Sequence, residues 1–171
     1  MFAYFVRYLR GHKNYLANTG ILWGLALVLP VFFEKTADTF ALPMGFALLT
    51  FNTPVCILLS GDPALERAVR FLAGQGKGFC IPYGLFLFFF NFAADVIFLC
   101  SWQIQSGGVA ARMAGMAAVF SGLGAVLSVM LEWFFPVRGW KIESDLWHHP
   151  RKYVVPGIML MLAGGISHFT K

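Results

Sequence analysis

Residues 80–102, CIPYGLFLFFFNFAADVIFLCSW, run for 23 positions with a single charge, Asp95. About 20 mostly apolar residues are enough for a helix to cross the hydrocarbon core of a bilayer. Four further stretches have the same character. They are 15–33 (YLANTGILWGLALVLPVFF), 41–60 (ALPMGFALLTFNTPVCILLS), 109–131 (VAARMAGMAAVFSGLGAVLSVML) and, at the short limit, 153–169 (YVVPGIMLMLAGGISHF). The spacing predicts an all-α integral membrane protein with about five transmembrane helices in a single membrane domain over 1–171. Composition agrees. Charged residues make up 12% of the chain and hydrophobic ones 58%, whereas a soluble domain carries about 25% charged residues.

The loops predict orientation. Arg7, Arg10 and Lys13 precede the first span. Arg67, Arg70 and Lys77 lie in 61–79, and Arg138, Lys141, Arg151 and Lys152 in 132–152. Lys35, Arg112 and Lys171 fall on the other side. Basic loops stay in the cytoplasm, so the N-terminus is expected inside and, with five spans, the C-terminus outside. The net charge of +5 does not point to nucleic acid, because the basic residues lie between apolar segments and not on one solvated face. The expected partners are the lipid bilayer and other membrane subunits. Cys56, Cys80 and Cys100 show no paired spacing and read as small buried hydrophobes. The first apolar run lacks the small-residue flank of a cleaved leader.

Two amphipathic segments flank the first hairpin. In MFAYFVRYLRGHK, the residues Phe2, Phe5, Val6 and Leu9 follow helical spacing, which suits a helix lying in the membrane interface. GDPALERAVRFL (61–72) is the better-formed signal. Asp62 suits an N-cap and Pro63 the first helical position. Leu65, Ala68, Val69 and Leu72 form one apolar stripe. Glu66, Arg67 and Arg70 are expected on the opposite, water-facing side, and GQGKG is expected to break the helix. Asp62, Glu66, Arg67 and Arg70 are thus either a docking face for a cytoplasmic partner or parts of a helix that merely eases the turn.

Asp95 is the one carboxylate deep in a span, and an intramembrane acid is a functional candidate by default. Asn91 precedes it by one turn on the same face, and Asn52-Thr53-Pro54 interrupts the neighbouring span, either as a simple kink or as part of the lining of a cavity with Asp95. Asp95, Asn91 and Asn52 either line a polar path or hold helices together. Ala114, Ala118 and Gly122 are spaced for close helix approach. In SDLWHHPRKYVVP (144–156), adjacent histidines point about 100° apart on a helix, so one metal cannot easily take both. His148, His149, Arg151 and Lys152 therefore read as a membrane rim or a partner-contact loop. No hydrolase, zinc-protease or phosphate-binding motif occurs. Neither catalysis, metal nor cofactor is expected.

An interfacial N-terminal helix, a tight hairpin over 15–60 and a short charged helix at 62–72 stand in that order. This arrangement resembles the permease subunits of ATP-driven (ABC) type-2 exporters over roughly residues 1–131. That family has six spans, against five counted here. The resemblance implies a transport subunit coupled through 62–72 to a separate ATPase chain. The alternative is a structural or assembly subunit of a larger membrane complex.

Overall fold

The computed structural model describes residues 2–33, 38–51, 57–71, 75–106, 110–140, 145 and 149–169. Among them every regular element is helical. The order is α1 (Phe2–Gly11), α2 (Lys13–Phe33), α3 (Asp38–Leu49), α4 (Leu58–Gly61), α5 (Pro63–Phe71), α6 (Gln75–Ser106) and α7 (Ala110–Phe134), then a 3₁₀ turn (Pro150–Tyr153) and α8 (Val154–Phe169). Three helices are long and apolar enough to cross a membrane: Lys13–Phe33, and the stretches Gly76–Gln105 of α6 and Met113–Phe134 of α7. Their outer faces carry exposed Ile21, Phe32, Ile81, Ile104 and Val119. A water-facing surface rarely holds so continuous an apolar coat, whereas acyl chains suit it.

α6 and α7 form the most extensive helix pair, α2 packs along α6, and α3 lies against α8. The core has two parts. One gathers Leu22, Ala26, Phe46, Phe98, Phe120 and Met159 from α2, α3, α6, α7 and α8. The other gathers Phe5, Val69, Phe79, Tyr83 and Phe86 from α1, α5 and α6. Phe5 sits 5.3–5.8 Å, ring to ring, from Phe79, Tyr83 and Phe86. α1 therefore uses its Phe5–Leu9 stripe to cover α6, and is not simply laid on lipid.

The second expected span, 41–60, is not a single helix. α3 stops at Leu49 and α4 starts at Leu58. The end of α3 tightens: Thr50 N and Phe51 N donate to the carbonyls three residues back, at 3.3 and 3.2 Å, the 3₁₀ pattern. Thr50 Oγ1 also donates to Ala47 O at 2.7 Å, and such a bond competes with the helical ladder. With 12 residues, α3 is about 18 Å long, short of the ~30 Å hydrocarbon core. α8, with 16 residues, reaches about 24 Å.

Two further expectations are corrected. α5 does end at Phe71, ahead of GQGKG, but Gly76 and Gly78 already lie in the first turns of α6, so most of this glycine-rich stretch opens the next helix. A Cβ on Gly76 would come 3.1 Å from the Trp133 ring, so a tertiary contact overrides the weak helix propensity of glycine. On α7 the buried line is Ala117, Ser121, Ala125, Ser128 and Glu132, while Ala114 is exposed and Ala118 and Gly122 are half-buried. The inner face is rotated from the expected stripe because it carries the polar groups, which lipid would leave unsatisfied. Cys100 faces outward and Cys80 is half-buried, while Cys56 lies outside the described residues.

The tightest approach is at Gly45 of α3, where a Cβ would fall 2.3 Å from Cζ of the buried Phe98 ring. Gly45→Ala should therefore destabilise the protein by about 1–3 kcal/mol through overpacking. A Cβ on Gly20 of α2 meets nothing within 4 Å, so Gly20→Ala should be neutral or stabilising by up to about 1 kcal/mol. Unfolding of both variants in detergent micelles checks the pair.

Candidate functional site

Most of the buried polar chemistry collects at one end of the bundle. α5 is fixed there first. Asp62 caps it: Oδ1 accepts from Ala64 N and Leu65 N, both at 3.0 Å, which satisfies two orphan donors of the first turn. Its other oxygen accepts from Tyr4 Oη at 2.7 Å, tying α1 to α5. Burial, and then the Asp62 carboxylate, raise the Tyr4 phenol above its ordinary value. The stabilisation from that neutral phenol is complete below the usual tyrosine pKa of about 10 and is lost as pH rises beyond it.

The opposite side of α5 faces inward. Glu66 Oε1 lies 2.9 Å from Arg70 Nε one turn on and accepts from Arg138 Nη2 at 2.7 Å and Nε at 3.2 Å. Arg70 Nη2 donates to Trp133 O at 2.6 Å, and the guanidinium stacks over the Trp133 ring at 4.9 Å. Trp133 belongs to the last turn of α7, whose carbonyls lack helical partners and attract a cation.

Ser60, just before α5, joins the same end of α7 more deeply. Its N–H donates to Glu132 Oε2 at 2.7 Å and its hydroxyl to Glu132 Oε1 at 2.8 Å. The hydroxyl oxygen accepts from Val137 N at 2.9 Å and from Arg151 Nη1 at 3.0 Å. That uses the full capacity of a serine hydroxyl, one donor and two lone pairs. Ser60 O takes the Trp140 indole N–H at 2.9 Å. Arg151, from the 3₁₀ turn at the mouth of α8, pairs with Glu132 through Nη2. Glu132 is 1% and Arg151 10% exposed along their side chains.

The second buried group lies mid-bundle. Asp95 of α6 is 2% exposed, and its Oδ2 accepts from Ser121 Oγ of α7 at 2.5 Å. Asn91, one turn earlier, is also buried. Among the described residues no three His, Cys, Asp or Glu side chains gather as a metal site would require. Both clusters join separate elements: one ties α4 and α5 to α7 and to the mouth of α8, and the other ties α6 to α7.

The residues expected from sequence are thus redistributed. Asp62, Glu66 and Arg70 come together, but Glu66 and Arg70 point into the protein and not to water. Arg67 remains exposed, with Nε on Pro63 O of its own helix at 3.3 Å. The outer face of α5 is Ala64, Arg67, Ala68 and Phe71. Phe71 is 84% exposed. The rim reading fails for Arg151, which turns inward. His149 is half-buried and caps the 3₁₀ turn, its Nδ1 accepting from Arg151 N at 3.3 Å, and Lys152 lies over the Tyr153 ring at 4.8 Å. Asn52 and His148 lie outside the described residues. Ser60, Glu132, Arg138, Trp140 and Ser121 were not singled out as site residues from sequence. Glu132 had only a weak signal, as an acid directly after an apolar run, a place that Glu34 shares. Comparison with protein-family models, curated proteins and solved structures finds no match.

Removing one member of the Glu132–Arg151 pair should cost about 3–5 kcal/mol, because the other charge is left buried and unpaired. Glu132→Leu with Arg151→Met together should cost much less than the sum of the two single changes. A double-mutant cycle by unfolding in micelles measures this. Additive costs would mean that the two side chains do not interact.

Proposed function

We propose that this chain is a permease-like membrane subunit of a transport complex. Its polar end faces the cytoplasm, and about five membrane-embedded segments, α3 and α8 among them, build the bundle. α5 takes the place of a coupling helix, receiving the movement of a separate cytoplasmic ATPase. The observation that carries this reading is the attachment of α5. Arg70 grips the end of α7, and Ser60, immediately before α5, is bonded to Glu132, which pairs with Arg151 at the mouth of α8. A push on α5 is therefore delivered to two membrane helices. Orientation is supported by the ten-to-three distribution of basic residues.

A second reading, a structural or assembly subunit, is favoured by one observation. A lateral groove of about 400 Å³ between α6 and α7, lined by Cys80, Gly84, Phe88, Gly122, Val126 and Met130, is almost wholly apolar. An apolar groove open to the side suits side chains from a helix of another membrane chain.

Arg67→Glu reverses the exposed charge of α5 without touching its buried contacts. It should leave folding and insertion intact, since exposed substitutions usually change stability by less than about 0.5 kcal/mol. It should also release an ATP-hydrolysing partner from the complex isolated in mild detergent. Equal recovery of that partner at equal amounts of folded protein would contradict coupling through α5. Isolation with a membrane assembly that lacks an ATPase would favour the second reading. For orientation, a cysteine at position 143 in an otherwise cysteine-free chain should resist impermeant labelling from outside intact cells. Labelling there would reverse the proposed topology.

A further inference from the structure

Two acceptors in the middle of the bundle are short of donors. Asp95 makes one hydrogen bond among the described residues, from Ser121 to Oδ2, leaving Oδ1 without a donor. Asn91, on the same face of α6, has a buried Oδ1 with no partner, while its Nδ2 stands beside Gly124 and Thr50. Among the described residues no cation compensates. The stretches packed nearby, 22–29 of α2, 42–49 of α3 and 117–128 of α7, contain no titratable or charged residue, nor does 154–167 of α8. On α6 itself the nearest titratable side chain, Cys100, faces outward.

Polar groups continue from there to the polar end. Gly124 brings Asn91 and Thr50 together. Thr50 and Ser128 line a cavity of about 20 Å³ together with Lys152 and Arg151, the partner of Glu132. A space of that size has room for one water molecule, and although most of its wall is apolar, Thr50, Ser128 and Arg151 supply polar partners.

We infer that Asp95 is a proton-binding site inside the bundle, reached from the polar end by way of Arg151, the Thr50–Ser128 cavity and Asn91. A hydronium ion gives its proton to Oδ1 of the carboxylate and leaves as water. The site passes from charge −1 to neutral, and the new O–H is the donor that this pair of acceptors lacks. A metal ion is the poorer occupant. Hard cations take about six or more oxygen ligands, whereas the side chains here offer one carboxylate, one hydroxyl and one amide oxygen. The inference rests on the chain lying in a membrane, and not on the identity of its cytoplasmic partner.

The test is infrared difference spectroscopy of the full chain in lipid vesicles between acid and alkaline buffer, in H₂O and D₂O. The wild type should show the carbonyl stretch of a protonated carboxyl that shifts in D₂O. The band should be absent in Asp95→Asn and shifted in Ser121→Ala. Identical spectra from folded wild type and Asp95→Asn would overturn the inference. Should Asp95→Asn fail to fold, Asp95→Glu must move the band, and an unmoved band is equally fatal. Thr50→Val should keep the band but slow its exchange into D₂O. Unchanged exchange would refute the route.

Discussion

The pairing of Glu132 with Arg151 is the constraint on which the polar end depends. Neither charge can be left alone where it lies, since withdrawing an ion from water costs several kcal/mol even after the surroundings relax. The cost is offset only with the geometry complete: Ser60 gives Glu132 both its N–H and its hydroxyl, and accepts from Arg151 in turn. The three residues come from α4, α7 and the 3₁₀ turn, segments far apart in sequence. Their meeting fixes the height of the mouth of α8 against the end of α7. It also fixes the start of α5, because Ser60 is two residues before its cap, Asp62.

From that anchor the second tier is built. Arg138 follows α7 by four residues and reaches back to Glu66, and Arg70 closes on Trp133. Arg138 is two-thirds exposed, so its bond to Glu66 is worth at most about 1 kcal/mol. The firmer grip is that of Arg70, which combines a charged hydrogen bond with stacking. α5 is thus held along one side and bare along the other, where Arg67 and Phe71 look outward. On the proposed reading, that bare side is where a cytoplasmic partner would apply force.

The long apolar runs 15–33, 80–102 and 109–131 were legible because period and length need no partner to be recognised. So was the cap at Asp62–Pro63, a purely local signal. An interruption of 41–60 was legible in Asn52-Thr53-Pro54, but it reads there as a kink within one span, and the helix end at Leu49, with the Thr50 side-chain bond beside it, was not legible. The inward turn of Glu66 and Arg70 was lost for a different reason. A charged face looks solvent-seeking until its counter-charges, here Arg138 and the carbonyl of Trp133, are supplied from more than 60 residues away. Arg151 misled in the same way: next to His149, Lys152 and Tyr153 it has the composition of a membrane rim, and only Glu132 explains its burial. Asp95 stood out in sequence, but Ser121, which holds it, was indistinguishable from a small packing residue.

The most direct test of the connection between α5 and the membrane helices is amide hydrogen exchange on the protein in lipid nanodiscs, comparing wild type with Arg151→Met. The Arg151 guanidinium bonds to Ser60 and Glu132, which lie outside α5. If the polar end is one mechanical unit, losing the Arg151 guanidinium should raise exchange in 63–71 together with 150–155, while the middle of α6 stays protected. Faster exchange confined to 150–155, with 63–71 unchanged, would show that α5 is not tied to α8 through Glu132 and Ser60.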